Sequence, residues 1–171
     1  MDYSVFGLEN PLFDHIASVE DAVLESLGAA KGTMNLVDYG GMRRVLEVAG
    51  PHKSIPGGSA ANTVRAIACL ARREAVLPPV YSGAVGCDPA GELYAEILAA
   101  AGVQTRLARK NLPTGCSVIL VTPDRERTMF TFLGACREYG PEDLDLEALA
   151  RSSFLYMTGY VWDTDNQKRA A

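Results

Sequence analysis

Two short stretches gather residue types that can grip a polyhydroxylated ligand. The first is GLENPLFD, Gly7 to Asp14, in which an apolar run ends in a polar turn holding Glu9, Asn10 and Pro11, with Asp14 four residues past Asn10. In open α/β sheets ligands bind beyond the carboxyl ends of strands, and a carboxylate there can accept hydrogen bonds from two neighbouring hydroxyls. The second is SIPGGSAAN, Ser54 to Asn62, where Gly57 and Gly58 precede a run of small residues. Glycines ahead of a helix let a ligand approach the free N–H groups and positive dipole end of the first turn. Asn62 adds an amide that donates and accepts at once, which suits a pair of sugar hydroxyls. Each stretch also has an ordinary structural explanation: Asn10 can close an Asx-turn beside a solvated Asp14, Gly-Gly is a common turn, and Ser59 can be a plain N-cap. Neither GxGxxG nor GxxxxGK[ST] occurs in the chain, so the sequence carries neither the dinucleotide-binding nor the P-loop fingerprint.

The elements that must hold these residues follow from the apolar pattern. Past Gly58, Ala60, Val64, Ile67, Ala68 and Ala71 recur at helical spacing, and Asn62, roughly 200° around from Ala60, points away from that stripe. SVFGL (4–8), VYSGAV (80–85) and SFLYMTGYV (153–161) read as buried strands. A first helix is expected from Ser18 as N-cap, with Asp21 at the capping-box position, to Gly28. A second opens at Asp88 as N-cap with Pro89 at its first position and stops at Gly102. Short apolar runs alternating with amphipathic segments are the pattern of an α/β fold with a largely parallel sheet.

Two stretches fall outside that alternation. Residues 117–133 read as an antiparallel hairpin around the P-D-R-E turn, and 34–56 is less regular, interrupted by glycines; both are expected in a cap beside the main sheet. The acidic run 141–149 is expected to be a capped surface helix. Thr164 to Gln167 reads as a capping box opening a helix about one turn from the last residue, either a frayed tail or the front part of a longer domain.

Composition narrows the classes further. With 171 residues, 48% hydrophobic and 22% charged, the chain can bury a core as one domain, and its net charge of −5 argues against binding to nucleic acid or an anionic membrane. No window approaches the ~18 apolar residues of a membrane span; with no secretory leader pattern, a cytoplasmic location is expected. Cys69, Cys87, Cys116 and Cys136 form no CxxC pair, and with His15 and His52 isolated they are expected to be reduced, mostly buried thiols with no zinc site.

Taken together the stretches resemble the ribokinase-like, or PfkB, family of sugar and nucleoside kinases, most closely its adenosine kinase branch. GLENPLFD is similar to the family's first strand and turn, GGSAAN to its Gly-Gly-x-x-x-Asn signature, and residues 82–103, 112–135 and 155–164 follow in the family's order. The resemblance implies a Rossmann-type parallel sheet flanked by helices with a small β-rich lid, whose segments are expected at roughly 17–56 and 104–134. It implies transfer of the ATP γ-phosphoryl group to a primary hydroxyl of a sugar or nucleoside, with Mg²⁺ on the phosphates. Carried over by position, Asp14, Gly58 and Asn62 would contact sugar hydroxyls, with Asn10, Gly57 and Ser59 shaping the pocket.

One family signature has no counterpart: the Gly-Ala-Gly-Asp turn that supplies the anion hole and catalytic base does not occur. GAVGCD, Gly83 to Asp88, is superficially similar but opens a helix, with Asp88 as its cap. The resemblance therefore implies the N-terminal portion of the fold, with the C-terminal half missing, its ATP and Mg²⁺ sites elsewhere, no catalytic residue here and no activity from this chain alone. The alternatives are a noncatalytic sugar- or nucleoside-binding module and an inactive fragment with an unprotected sheet edge. A homodimer through the lid, substrate contact by Arg137, Glu138 or Cys116, and the identity of the sugar stay open.

Overall fold

The computed structural model describes residues 1–73 and 76–171. In chain order it forms β1 (Tyr3–Leu8), β2 (Leu12–Ser18), α1 (Asp21–Ser26), β3 (Met34–Leu36), α2 (Tyr39–Ala49), β4 (Lys53–Pro56), α3 (Ser59–Ala71) and β5 (Val80–Gly86). There follow α4 (Pro89–Ala101), β6 (Gln104–Lys110), β7 (Gly115–Val121), β8 (Arg127–Phe132), α5 (Leu146–Ala150), β9 (Ser152–Met157) and α6 (Asp165–Ala170). Short 3₁₀ turns occupy Gly134–Glu138, Pro141–Asp143 and Gly159–Trp162.

The strands form two sheets. The first is four-stranded and parallel, in the order β6-β5-β1-β9. Its central strands β1 and β5 are apolar on both faces because both faces are covered: Val5, Tyr81 and Val85 pack with Ala60, Val64 and Tyr94 of α3 and α4. Phe6, Leu8, Val80 and Ala84 face the other way, onto Tyr139, Ala148 and Ala170. At the edge, β9 leaves Phe154 74% and Leu155 50% exposed. The second sheet is five-stranded and mixed, in the order β3-β8-β7-β2-β4, with the expected hairpin as its β7–β8 pair. Met42 and Val45 of α2 and Leu24 of α1 join Val118, Leu120 and Phe130 under it.

The helix at Asp88 follows its local signals. Asp88 Oδ1 accepts from the Gly91 amide at 2.8 Å, and Gly102 ends α4 in the left-handed region with φ +92°. Elsewhere tertiary pairing overrode local signals. Ser18 is not an N-cap: β2 pairs with β7 along its whole length through Ser18, and α1 starts at Asp21 after Glu20. The same strand takes in Asp14, so Asp14 stands on a strand and not on a loop. The irregular stretch 34–56 contains α2, whose glycines sit in its first turn above the Asp38 N-cap. β6 pairs with β5, so the second sheet's segments run over 12–56 and 115–132, not 17–56 and 104–134. SFLYMTGYV is a strand only as far as Met157, and 141–149 splits into a 3₁₀ turn and α5. The tail is not frayed: Thr164 and Gln167 form the capping box, and Gln167 and Ala170 are buried. Cys116 and Cys136 are buried, whereas Cys69 and Cys87 are exposed, correcting the expectation of mostly buried thiols. None of the described helices is long and apolar enough to cross a membrane.

Candidate functional site

The carboxyl end of β1, the start of β2, the first turn of α3, the hairpin and the Gly159–Trp162 turn surround a cavity of about 440 Å³. That is large enough for a small organic ligand. Glu9, Asn10 and Asp14 contribute from the β1–β2 connection, and Gly58 and Ser59 from the helix start. Met34, Leu36 and Met129 of the second sheet and Leu133 just past β8 give the cavity apolar lining, and Tyr160 and Trp162 give it aromatic lining from the Gly159–Trp162 turn. Ser117 and Thr131, hydrogen-bonded to each other at 3.0 Å, lie at its floor.

Asp14 lines this cavity from β2. It is fixed by pairing on both sides, opposite Ile55 of β4 and Ser117 of β7. Burial raises its pKa above the ordinary 3.8, with the Arg127 charge opposing, and no described side chain or amide donates a hydrogen bond to it. A half-buried carboxylate with unused lone pairs is an acceptor awaiting donors. The β4–α3 turn is folded against it: a Cβ on Gly57 would lie 2.5 Å from the Asp14 Cγ, so only glycine lets the carboxylate sit there. Gly57 is held in place by its own N–H to the Leu12 carbonyl (2.8 Å) and by the Tyr94 hydroxyl donating to its carbonyl (2.8 Å). Gly58 follows at φ +95°, a conformation side chains rarely adopt, and makes the N-cap of α3.

Ser59 is therefore not the N-cap. Its hydroxyl donates to Glu9 Oε1 at 2.7 Å, and Glu9 Oε2 accepts the Ala60 amide at 2.6 Å, so a carboxylate from β1 caps the helix from outside. Glu9 Oε1 also accepts the Thr158 hydroxyl at 2.9 Å. Asn10 is buried, donating to the Tyr160 carbonyl and accepting from Gln167 Nε2, both at 2.8 Å. Of the residues expected at the site, Asn10, Asp14, Gly58 and Ser59 line the cavity. Gly57 stands behind Asp14, and Asn62 is exposed on the α3 first turn outside the lining, 3.4 Å from Arg65 Nη1. Cys116 is buried within the second sheet, its thiol pushed up to about 11 by burial. Arg137 pairs with Asp163 at 2.8 Å and not with Glu138.

Glu9, Tyr160, Trp162 and Gln167 were not among the residues expected at the site. Glu9 could have been, since an acid at the carboxyl end of an apolar strand stands where ligands bind. Charge defines what the cavity accepts: Glu9, Asp14 and Asp163 line it and no lysine or arginine does. It suits a neutral ligand with hydroxyls and an apolar part, not a polyphosphate. Among the described residues no group of three or more His, Cys, Asp or Glu side chains is placed to hold a metal ion.

The family model described as pfkB family carbohydrate kinase matches residues 24–170. Adenosine kinase of Schizosaccharomyces pombe is 33% identical over 147 residues, covering 83% of this chain and 41% of that protein. The crystal structure of adenosine kinase from Sinorhizobium meliloti superposes with a TM-score of 0.88 at 37% identity, over 99% of this chain and 51% of that one. Anopheles gambiae adenosine kinase, in complex with P1,P4-di(adenosine-5) tetraphosphate, gives 0.86 at 26% identity, over 96% and 53%. The chain thus spans about half the length of these relatives.

Proposed function

The chain belongs to the pfkB family of carbohydrate kinases, whose members use ATP, and from that premise we propose that it carries the substrate-binding half of an enzyme phosphorylating the primary hydroxyl of a sugar or nucleoside. The observation that carries this reading is Asp14: a half-buried, unpartnered carboxylate wedged against Gly57 in a cavity without cations. Asp14 accepts two neighbouring ring hydroxyls, the amides at Gly58 and Ser59 receive a hydroxyl oxygen, and Asn62 reaches the sugar from the rim. The second sheet is the lid, and its closure over the ligand excludes water and strengthens these contacts. Facing walls from Met34 and Leu36 and from Tyr160 and Trp162 favour a nucleoside, whose planar base fits between them, over a bare sugar.

No residue here is given the role of catalytic base, and this chain by itself is proposed to bind without transferring phosphate. The exposed apolar edge at Phe154 and Leu155 supports that reading, because parallel sheets are stable when both faces and their edges are covered. The edge strands β3 and β4 are where a lid-mediated homodimer would form. A noncatalytic sugar- or nucleoside-binding module is the second reading. A cytoplasmic location, where ATP is supplied, completes the proposal.

The test is calorimetric titration of the purified chain with adenosine and with ribose, beside an Asp14→Ala, Asn62→Ala double variant. Binding that disappears in the double variant supports the proposal. Equal heats in both proteins would refute it.

A further inference from the structure

Exposure leaves the aromatic wall of the cavity weakly braced: Tyr160 is 67% and Trp162 56% exposed. Both lie on the 3₁₀ turn Gly159–Trp162, whose buried residue is Val161. Val161 packs into the apolar cluster of Phe6, Leu8 and Tyr139, and a set of buried polar bonds ties the backbone of this turn to the site. Asn10 donates to the Tyr160 carbonyl and accepts from Gln167 Nε2. Gln167 Nε2 also donates to the Cys136 carbonyl at 2.8 Å, and its Oε1 accepts the Thr164 amide at 3.2 Å. Asn10 is 4% and Gln167 1% exposed, and both ends of each amide are engaged. Asn10 spends one amide hydrogen on the Tyr160 carbonyl and one oxygen lone pair on Gln167, and losing either bond would leave a buried polar group unpaired. These two bonds of Asn10 serve the wall.

We infer that Asn10 and Gln167 form a clasp that positions Tyr160 and Trp162 opposite the lid wall, and that this clasp sets the cavity's preference for a ligand bearing an aromatic ring over a free sugar. The two grips are separate in the structure. Asp14 and the α3 turn act on hydroxyls and are held by Gly57 and Glu9; Glu9 also accepts the Thr158 hydroxyl at the start of the Gly159–Trp162 turn, but the bonds of Asn10 and Gln167 reach that turn and not Asp14 or α3. Loosening the clasp should cost ring recognition and spare hydroxyl recognition. The selectivity part of the inference rests on the proposed function; the positioning part stands without it.

Trp162 is the one tryptophan of the sequence, so its fluorescence reports the wall directly. The test compares the unaltered chain with Gln167→Leu, which keeps volume but loses the bonds, and with Lys168→Ala on the exposed face of the same helix. Acrylamide quenching is read without ligand, and adenosine and ribose are titrated separately by calorimetry. The clasp predicts a higher quenching constant in Gln167→Leu, by at most about 1.8-fold as Trp162 goes from 56% exposed to free. It predicts adenosine affinity lower by about tenfold with ribose affinity held within about twofold, and Lys168→Ala unchanged in both readouts.

Quenching identical to that of the unaltered chain would overturn the inference, and so would equal losses for adenosine and ribose. If the unaltered chain binds neither ligand, the substrate reading fails, and quenching alone decides whether the clasp holds the wall. Should Gln167→Leu lose its far-ultraviolet circular dichroism, Asn10→Ser gives the same readouts from the other side of the clasp.

Discussion

Gly57→Ala should disable the site without removing any functional side chain. Gly57 does not have a positive φ, so alanine brings no backbone strain there; its effect is the new methyl, which meets the Asp14 carboxylate at 2.5 Å from Cγ. Neither side of this contact can retreat as a unit. Asp14 is paired into β4 and β7, and Gly57 is pinned by the Leu12 carbonyl and the Tyr94 hydroxyl. The carboxylate must swing aside, which loses two charge-assisted hydrogen bonds to the ligand worth about 1.5 kcal/mol each at the low end of their range. That is about 3 kcal/mol, or roughly 150-fold in Kd, against an overpacking cost to stability of about 1–3 kcal/mol. Calorimetric titration with adenosine reads the first and thermal melting the second. The Asp14→Ala background supplies a check, because there the extra methyl has room and should cost little more binding. Adenosine affinity within about threefold of the unaltered chain in folded Gly57→Ala would refute the argument that Gly57 exists to seat Asp14.

Three further outcomes follow from the same geometry. Burial holds the Asp14 pKa above its ordinary 3.8, so its folded state prefers the protonated form: its contribution to stability is present below 3.8 and is lost as pH rises through the raised value. Melting against pH should therefore show Asp14→Asn gaining stability over the unaltered chain near neutrality and losing that advantage in acid, while adenosine binding weakens as acid protonates the acceptor. Glu9→Ala strands the Ser59 hydroxyl, the Ala60 amide and the Thr158 hydroxyl and should cost about 2–4 kcal/mol in urea denaturation; a loss below about 0.5 kcal/mol would contradict its role as an external cap. Under native conditions a thiol reagent should modify Cys69 and Cys87 quickly, and Cys116 and Cys136 only after unfolding, since burial raises both buried thiols, Cys116 to about 11.

Local signals were legible in the sequence and long-range ones were not. Asp88, Pro89 and Gly102 mark α4 through contacts within a turn of themselves, and the Thr164–Gln167 box does the same for α6. The hairpin's alternation likewise survives because β7 and β8 are neighbours in sequence. Asp14 was legible as a candidate by type but not as a strand residue, because β2 is made by pairing with β7 a hundred positions away. That pairing also carried Ser18 into the strand against its capping tendency. Residues 104–110, grouped from the sequence with the hairpin, lie in the parallel sheet for a similar reason: only the pairing of β6 with β5, away from the hairpin's own turn signals, assigns them there. Gly57 and Gly58 were recognised as a bare backbone, yet the object pressed against Gly57 is Asp14, which spacing cannot reveal. Glu9 was passed over because its donors are at 59, 60 and 158. Tyr160 was hidden inside an apolar run, 153–161, that looked like the continuation of a strand, and Trp162 stands just past its end.

The central claim is that Asp14 grips ring hydroxyls while the lid and the Tyr160–Trp162 turn enclose the remainder of a nucleoside. A crystal structure of the chain grown with adenosine tests it most directly. The account predicts the two ribose hydroxyls within hydrogen-bond distance of the Asp14 carboxylate, with the base between Met34 or Leu36 and the Tyr160–Trp162 wall. Adenosine bound elsewhere, or with its base toward Asp14 and its ribose in solvent, would contradict it.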